Sequence, residues 1–507
     1  MNKPFSVPLF LMLASIVLAT TTLLAQSPKR EFRGTWVHTV GNSQYKTMTP
    51  NQMRDHYVSL LDSFERAGIN AVIYQIRPQA DAFYMNSIEP WSRFITGTQG
   101  VAPNPVWDPL QFMIDRCHDR GMELHAWLNP YRVTSNASEQ LHPEHLYFKR
   151  PDLFLKYGTQ LYFDPGEPDS RSHTLSVIAD IVSRYDVDAI HLDDYFYPYR
   201  IGNTEFPDDV SFNKYRALQG FGKDERDDWR RNNVNILVKQ ISDTIKAIKP
   251  WVKFGISPFG VWRNVSKDPL GSESKAGQTN YDDLFADIRL WVQEGWIDYN
   301  APQLYWEIGH SAANYTPLIK WWSENNFGVQ LYIGQDISRT LMVDGKSGKM
   351  ESQLYPKMRM AREDPNVHGN IWWSGYNLSQ NLSGMIDSLA NNYQKYPALI
   401  PVYTLINTTP PQAPIDLKVT TSGDQSFLTW IEPQALTEMN RAVRYCVYRF
   451  MGSEQFDLEN VSNIVKIVGK NEYLLPKLEE NQEYVYVVTA LDRMWNESVP
   501  SNMFIFK

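Results

Sequence analysis

The twelve residues AIHLDDYFYPYR, from Ala189 to Arg200, decide how the rest of the chain is read. An apolar approach from Val187 to Leu192 has the look of a buried strand, and it stops abruptly at two carboxylates, Asp193 and Asp194. Four aromatic rings follow at Tyr195, Phe196, Tyr197 and Tyr199. In a parallel α/β barrel the carboxyl ends of the strands carry the chemistry. Acids placed there, beside flat rings of sugar size, point to a (β/α)8 TIM barrel and to cleavage of glycosidic bonds.

Outward from this stretch the same rhythm repeats. RGTWVHTV (Arg33 to Val40) is the first strand expected, and Thr49, Pro50 and Gln52 then spell a capping box with proline at the first helical position. NAVIYQIRP (Asn70 to Pro78) follows as the second strand. Asp108, Pro109 and Gln111 repeat the helix start, and Gly121 closes that helix before MELHAWLNPYR, Met122 to Arg132. The fourth strand is the opening stretch, and a helix near Asp224 to Lys249 leads to KFGISPFGVWR, Lys253 to Arg263. YNAPQLYWEIG (Tyr299 to Gly309), GVQLYIGQD (Gly328 to Asp336) and GNIWWSGYN (Gly369 to Asn377) complete eight. A doubly wound open sheet is the alternative, weakened because no G-x-G-x-x-G follows the first strand.

Beyond Tyr393 the texture changes. The spacing predicts a barrel domain over 26–395, a Pro-rich linker over 396–413 and an all-β sandwich over 414–507, where short alternating strands are separated by turn residues. Before the barrel, residues 1–25 have Lys3, an apolar run from about Phe5 to Leu24 and the small Ala25, the pattern of a secretory signal peptide. The apolar run approaches membrane-spanning length, so an uncleaved anchor is the competing reading. With cleavage, an exported protein, periplasmic or extracellular and with no membrane association, is expected. Only Cys117 and Cys446 occur, over 300 residues apart, which argues against a disulfide framework. The formal charge of −8 comes without a Lys/Arg tract, so nucleic acid is a poor partner, whereas 16 Trp and 28 Tyr supply many flat faces with a polar edge.

Alternate strand residues share a face, so polar residues of one parity should share a destination. His191 and Asp193 share parity on the fourth strand, Gln303, Tyr305 and Glu307 on the sixth, His125, Trp127 and Asn129 on the third, and Gln75 and Arg77 on the second. Glycoside cleavage needs one carboxyl group to protonate the departing oxygen and another to attack carbon or activate water. Glu307, after Tyr305 and Trp306, is the candidate acid, because aromatic surroundings raise a carboxyl pKa. Asp193 is the candidate nucleophile or base, with Asp194 as its competitor for that role. Trp36, Trp127, Tyr195, Tyr305, Trp306, Trp372 and Trp373 are candidates to stack on sugars. His38, Arg77, His125, Asn129, His191 and Gln303 are candidates to bond hydroxyls. Each also has a plain structural reading: acids at strand ends cap loops, and strand histidines are commonly satisfied core groups.

RGTWVHT, NAVIYQIRPQADAFY, HAWLNPYR, AIHLDDYFYP, FGISPFGVWRN and APQLYWEIG, in this order, resemble the glycosyl hydrolase-like 10 family of secreted bacterial proteins over about Glu31 to Ala390. The resemblance implies a TIM-barrel hydrolase with a polysaccharide substrate and no cofactor. Some members of that family act on peptidoglycan strands already stripped of their peptides. The C-terminal segment resembles a fibronectin type III domain through Pro414, Leu417, Trp430, Tyr445, Tyr448 and the run Tyr484 to Asp492. Two other functions compete. His191 and Asp193 form an H-x-D pair that could serve a metal-dependent hydrolase, although the first strand offers His38 alone. A glycan-binding adhesion protein without catalysis is the other.

Overall fold

A computed structural model describes residues 27–506 except 137, 345–349, 453–455 and 478–482, so the expected signal peptide at 1–25 lies outside the described residues. Eight parallel strands close into a barrel: β1 Phe32–Val37, β2 Ala71–Arg77, β3 Glu123–Leu128, β4 Ala189–Leu192, β5 Lys253–Ile256, β6 Tyr299–Asn300, β7 Gln330–Asp336 and β8 Gly369–Trp373. Each pairs with its sequence neighbour, and β8 returns to β1 through partners such as Gly34 and Ile371. Every strand expected from the sequence is there.

The outer layer is α1 Pro50–Arg66, α2 Pro109–Asp119, α3 Pro168–Arg184, α4 Arg226–Ile248, α5 Ile288–Gln293, α6 Tyr315–Glu324, α7 Leu354–Glu363 and α8 Gly375–Ser379. Local chemistry sets the starts. Thr49 and Gln52 exchange both bonds of a capping box, and the Asp108 side chain accepts from the amides of Leu110 and Gln111. Met53, Tyr57, Leu60, Leu61 and Phe64 form the buried face of α1, spaced three and four residues apart as a helix on a barrel requires.

β6 is the exception to regularity. Only Tyr299 and Asn300 are strand, because Pro302 has no amide hydrogen to give the ladder. The chain then continues through an isolated bridge at Gln303 to Phe259 and Gly334. Gln303, Tyr305 and Glu307, which share parity, thus lie beyond the regular strand.

Past the barrel, seven antiparallel strands form two sheets. β9 Ile415–Ser422, β10 Gln425–Ile431 and β13 Glu472–Leu474 make one, in the order β9-β10-β13. β11 Arg444–Met451, β12 Ile464–Val468, β14 Tyr484–Leu491 and β15 Phe504–Phe506 make the other, in the order β12-β11-β14-β15. The Pro-rich passage between barrel and sheets is packed down rather than free: Leu399, Ile400 and Tyr403 are buried, and Leu399 exchanges backbone bonds with Lys29 and Glu31. The sheets meet the barrel at the amino ends of its strands. There Arg444 pairs with Asp188 at 2.7 Å, and Trp495 donates its indole N–H to Glu123 at 2.7 Å.

Candidate active site

At the opposite end, the carboxyl ends of the strands surround a cavity of about 570 Å³. Asp193 and Asp194 leave β4 at its floor, and both are buried. Trp36 comes from β1, Trp127 from β3 and Trp373 from β8, while Tyr195, Tyr199, Phe259, Tyr305 and Trp306 rise from the loops after β4, β5 and β6. The wall is thus rich in rings around two acids. Two buried polar atoms on it, His38 Nδ1 and Gln75 Nε2, have no hydrogen-bond partner among the described residues. Buried polar groups are normally bonded, so such orphans suit a ligand rich in hydroxyls.

Asp193 is held from three sides. Trp127 Nε1 donates to its Oδ2 at 3.0 Å, Asn129 Nδ2 to its Oδ1 at 3.1 Å, and the Tyr195 amide to Oδ1 at 3.4 Å. Burial pushes its carboxyl up to about 6: nearby Arg132 pulls against this, and the charge of Asp194 adds to it. Asp194 accepts a hydrogen bond from the Tyr199 hydroxyl, and its pKa is also raised, again chiefly by burial. Among the described residues neither acid is in an ion pair. Two adjacent carboxyl groups in this setting lose their protons as a pair, both of them held above the ordinary carboxylate range.

Beneath them runs a column of hydrogen bonds along the barrel axis. Trp36 Nε1 can only donate, so His191 Nε2, at 3.2 Å, accepts, and its Nδ1 carries the hydrogen toward the Tyr299 oxygen at 2.8 Å. Tyr299 then donates to His125 Nδ1 at 2.8 Å, and His125 Nε2 donates to Glu123 at 2.7 Å. Burial holds His191 well below the ordinary histidine pKa, so it is neutral.

The structure thus gathers Asp193, Asp194, Trp36, His38, Trp127, Tyr195, Gln303, Tyr305, Trp306 and Trp373 at the cavity. It removes six other expected residues from it. Glu307 does not line the cavity: Gln303, Tyr305 and Trp306 before it do, but the chain bends at Trp306 and turns at Ile308 and Gly309. Arg77 is buried in an ion pair with Glu89 at 2.6 Å, its guanidinium also bonding the Asn129 carbonyl. His191 and His125 lie below the floor in the axial column, satisfied by Tyr299, Trp36 and Glu123. With both His191 nitrogens engaged, an H-x-D metal pair has lost its histidine. Asn129 acts one layer back, through Asp193. Trp372, of opposite parity to Trp373, is fully buried in the packing between barrel and helices.

Arg132, Tyr199, Ser257, Phe259 and Arg339 line the cavity without having been named as binding residues. Ser257 and Phe259 stand directly after β5, as Asp193 stands after β4, and their position offered the same signal. Arg339 lies on a short helix after β7, where no sequence pattern marks it.

Comparison with known proteins agrees with this geometry. The glycosyl hydrolase-like 10 family matches residues 31–347. The chain is 41% identical to the glycosyl hydrolase YngK of Bacillus subtilis (strain 168) over 501 residues, covering 97% of this chain and 96% of that protein. It is 40% identical to the glycosyl hydrolase DigH of Escherichia coli (strain K12) over 362 residues, 65% of this chain and 80% of that one. Among solved structures, the glycoside hydrolase domain of PgaB from Bordetella bronchiseptica aligns with a TM-score of 0.48 at 10% identity, over 72% of this chain and 99% of that domain, too loosely to add to the barrel already described. An eight-stranded barrel with paired acids in a ring-lined mouth, and a family match over most of its length, give one conclusion: the chain belongs to the glycosyl hydrolase-like 10 family.

Proposed function

We propose that the protein is an exported glycosidase that cleaves a polysaccharide, with peptide-stripped peptidoglycan strands as the first substrate to try, and that Asp193 and Asp194 carry the reaction. The observation that carries this reading is the pair itself: two buried carboxyl groups without a partner cation, facing a cavity walled by indole and phenol rings. Burial, with the neighbouring Asp194 carboxyl adding to it, keeps the proton on Asp193 to about 6, and Asp193 is the proton donor to the departing oxygen. Asp194 is the carboxylate that faces the anomeric carbon or the attacking water. This exchanges the roles expected from the sequence, since Glu307 is not available as the acid.

Tyr199 and Gln303 flank Asp194, and Trp127 with Asn129 fixes the orientation of Asp193. A donor must point at the leaving oxygen, and these contacts hold it. The reading extends to the remainder of the chain as well: residues 1–25 act as an export signal, and the C-terminal sheets, three strands against four, form a fibronectin type III-like module without catalytic residues.

The test is incubation with a panel of polysaccharides that includes peptide-free peptidoglycan strands, with products read by mass spectrometry. Wild type should release oligosaccharides, and Asp194→Asn should release none. An aryl glycoside with a good leaving group separates the roles: it needs no proton donor, so Asp193→Asn should still cleave it while Asp194→Asn does not. Glycan bound but never cut by wild type would leave an adhesion protein.

A further inference from the structure

The ring-lined cavity has a neighbour. A second one, of about 260 Å³, opens on the long loop between β3 and α3, among Thr134, Glu139, Tyr147, Phe148, Lys156 and Gln160. One stretch of chain joins the two. Arg132 lines the first cavity and is bridged antiparallel to Tyr162, and partners across such a bridge project to the same face. Two residues along each segment stand Thr134 and Gln160 of the second cavity, the Val133 amide donates to the Leu161 carbonyl between them, and the Tyr162 hydroxyl donates to Gln160. At about 3.3 Å per extended residue, Arg132 of the first cavity and Thr134 of the second are roughly 7 Å apart along the backbone.

Its size and lining fit an extension of the mouth. Pockets that hold a free-standing ligand usually span about 300 to 1,000 Å³, and this one falls below that range. Phe148 lines it with 56% of itself exposed and stands at right angles to the ring of Tyr147, centroids 5.4 Å apart, so an aromatic surface is open to solvent there. Lining the same cavity are the hydroxyls of Thr134 and Thr159, while the Gln160 amide is committed to the Ser135 carbonyl and the Tyr162 hydroxyl. An apolar face with hydroxyl-bonding groups at its edge is the chemistry that holds a pyranose.

We propose that this loop cavity is a distal subsite, in which a sugar unit of a chain running out of the mouth stacks on Phe148, so that the protein binds long glycans in preference to short ones. The proposal rests on the glycosidase reading above. Its test uses the full chain carrying Asp193→Asn to slow turnover, with fluorescently labelled oligosaccharides from peptide-free peptidoglycan strands, graded from disaccharide to octasaccharide. Binding is read by anisotropy. Affinity should climb with length, Phe148→Ala should weaken the octasaccharide roughly three- to tenfold while sparing the disaccharide, and Phe148→Trp should restore the gain. Affinity that is independent of length, or a loss in Phe148→Ala that is equal for short and long chains, overturns the subsite and leaves the glycosidase reading standing. Failure of every length to bind the parent protein overturns both.

Discussion

The barrel has buried acids at both ends, and the two sets behave in opposite ways. At the floor, burial alone would raise Glu123, yet Lys253 and then His125 outweigh it and hold that carboxyl at about 2. Asp188, beside Arg444 and His118, is held well below the ordinary range by the same contest. At the mouth, Asp193 meets no paired cation and stays at about 6. Burial is common to both ends; what differs is whether a cation is in contact. A raised pKa is not by itself a mark of function, because Asp81 and Asp164 also sit at about 6 and line neither cavity. What sets the mouth apart is an acid that is destabilised and opens on empty space with a second acid beside it.

The largest effect separates the ends by activity. Asp193→Asn should lower turnover of an unactivated glycan by about 10²- to 10⁴-fold, the span of a lost general acid, as measured by product release at fixed folded protein. The matching change at the floor should do the reverse. Asp188→Asn leaves the buried Arg444 without its anion, and unfolding in urea should show a loss of about 3 to 5 kcal/mol, with turnover per folded molecule nearly unchanged. A large fall in turnover there would break the contrast.

Stability against pH should carry opposite signs at the two ends. The folded Asp193 binds its proton more tightly than the unfolded chain does, so its contribution falls as pH rises from about 4 to about 6. Glu123 binds its proton less tightly when folded, so its contribution is present above about 4.5 and is lost as pH falls toward about 2. Asp193→Asn should therefore be more stable than wild type at neutral pH, by about 2 kcal/mol, in a thermal or urea titration. The same proton sets activity: kcat/KM should decline as pH rises through about 6, when the donor is lost. The smallest effect is Trp495→Phe, which removes one indole donor from buried Glu123 and should cost about 1 to 2 kcal/mol in unfolding with no change in kcat.

Much of this was legible in the chain. Alternation of apolar strands with capped helices located all eight barrel strands, and the Asp-Asp pair lies where the strand pattern stops. The binding wall was legible where position alone decides, as at Trp36, Trp127 and Tyr195. Parity failed where its premise failed. Gln303 and Tyr305 reach the cavity as counted, but the chain bends at Trp306 and turns at Ile308, so the alternation no longer holds at Glu307. Parity also could not say how far along the axis a residue sits: His125, His191 and Trp127 point inward alike, yet the first two end in the column below the floor and only the third reaches the cavity.

The sequence determined by itself the order of strands and helices, the helix starts and the placing of two acids at the end of β4, because caps and periodicity act between residues a few positions apart. Only the tertiary structure decided what each acid became. Asp188 meets Arg444 from 256 positions away, Glu123 meets Trp495 from 372, and among the described residues no such partner reaches Asp193. A carboxyl group's proton affinity is set by the charges and solvent within a few ångströms of it, and in this chain those neighbours are assembled by closing the barrel and seating the C-terminal sheets beneath it.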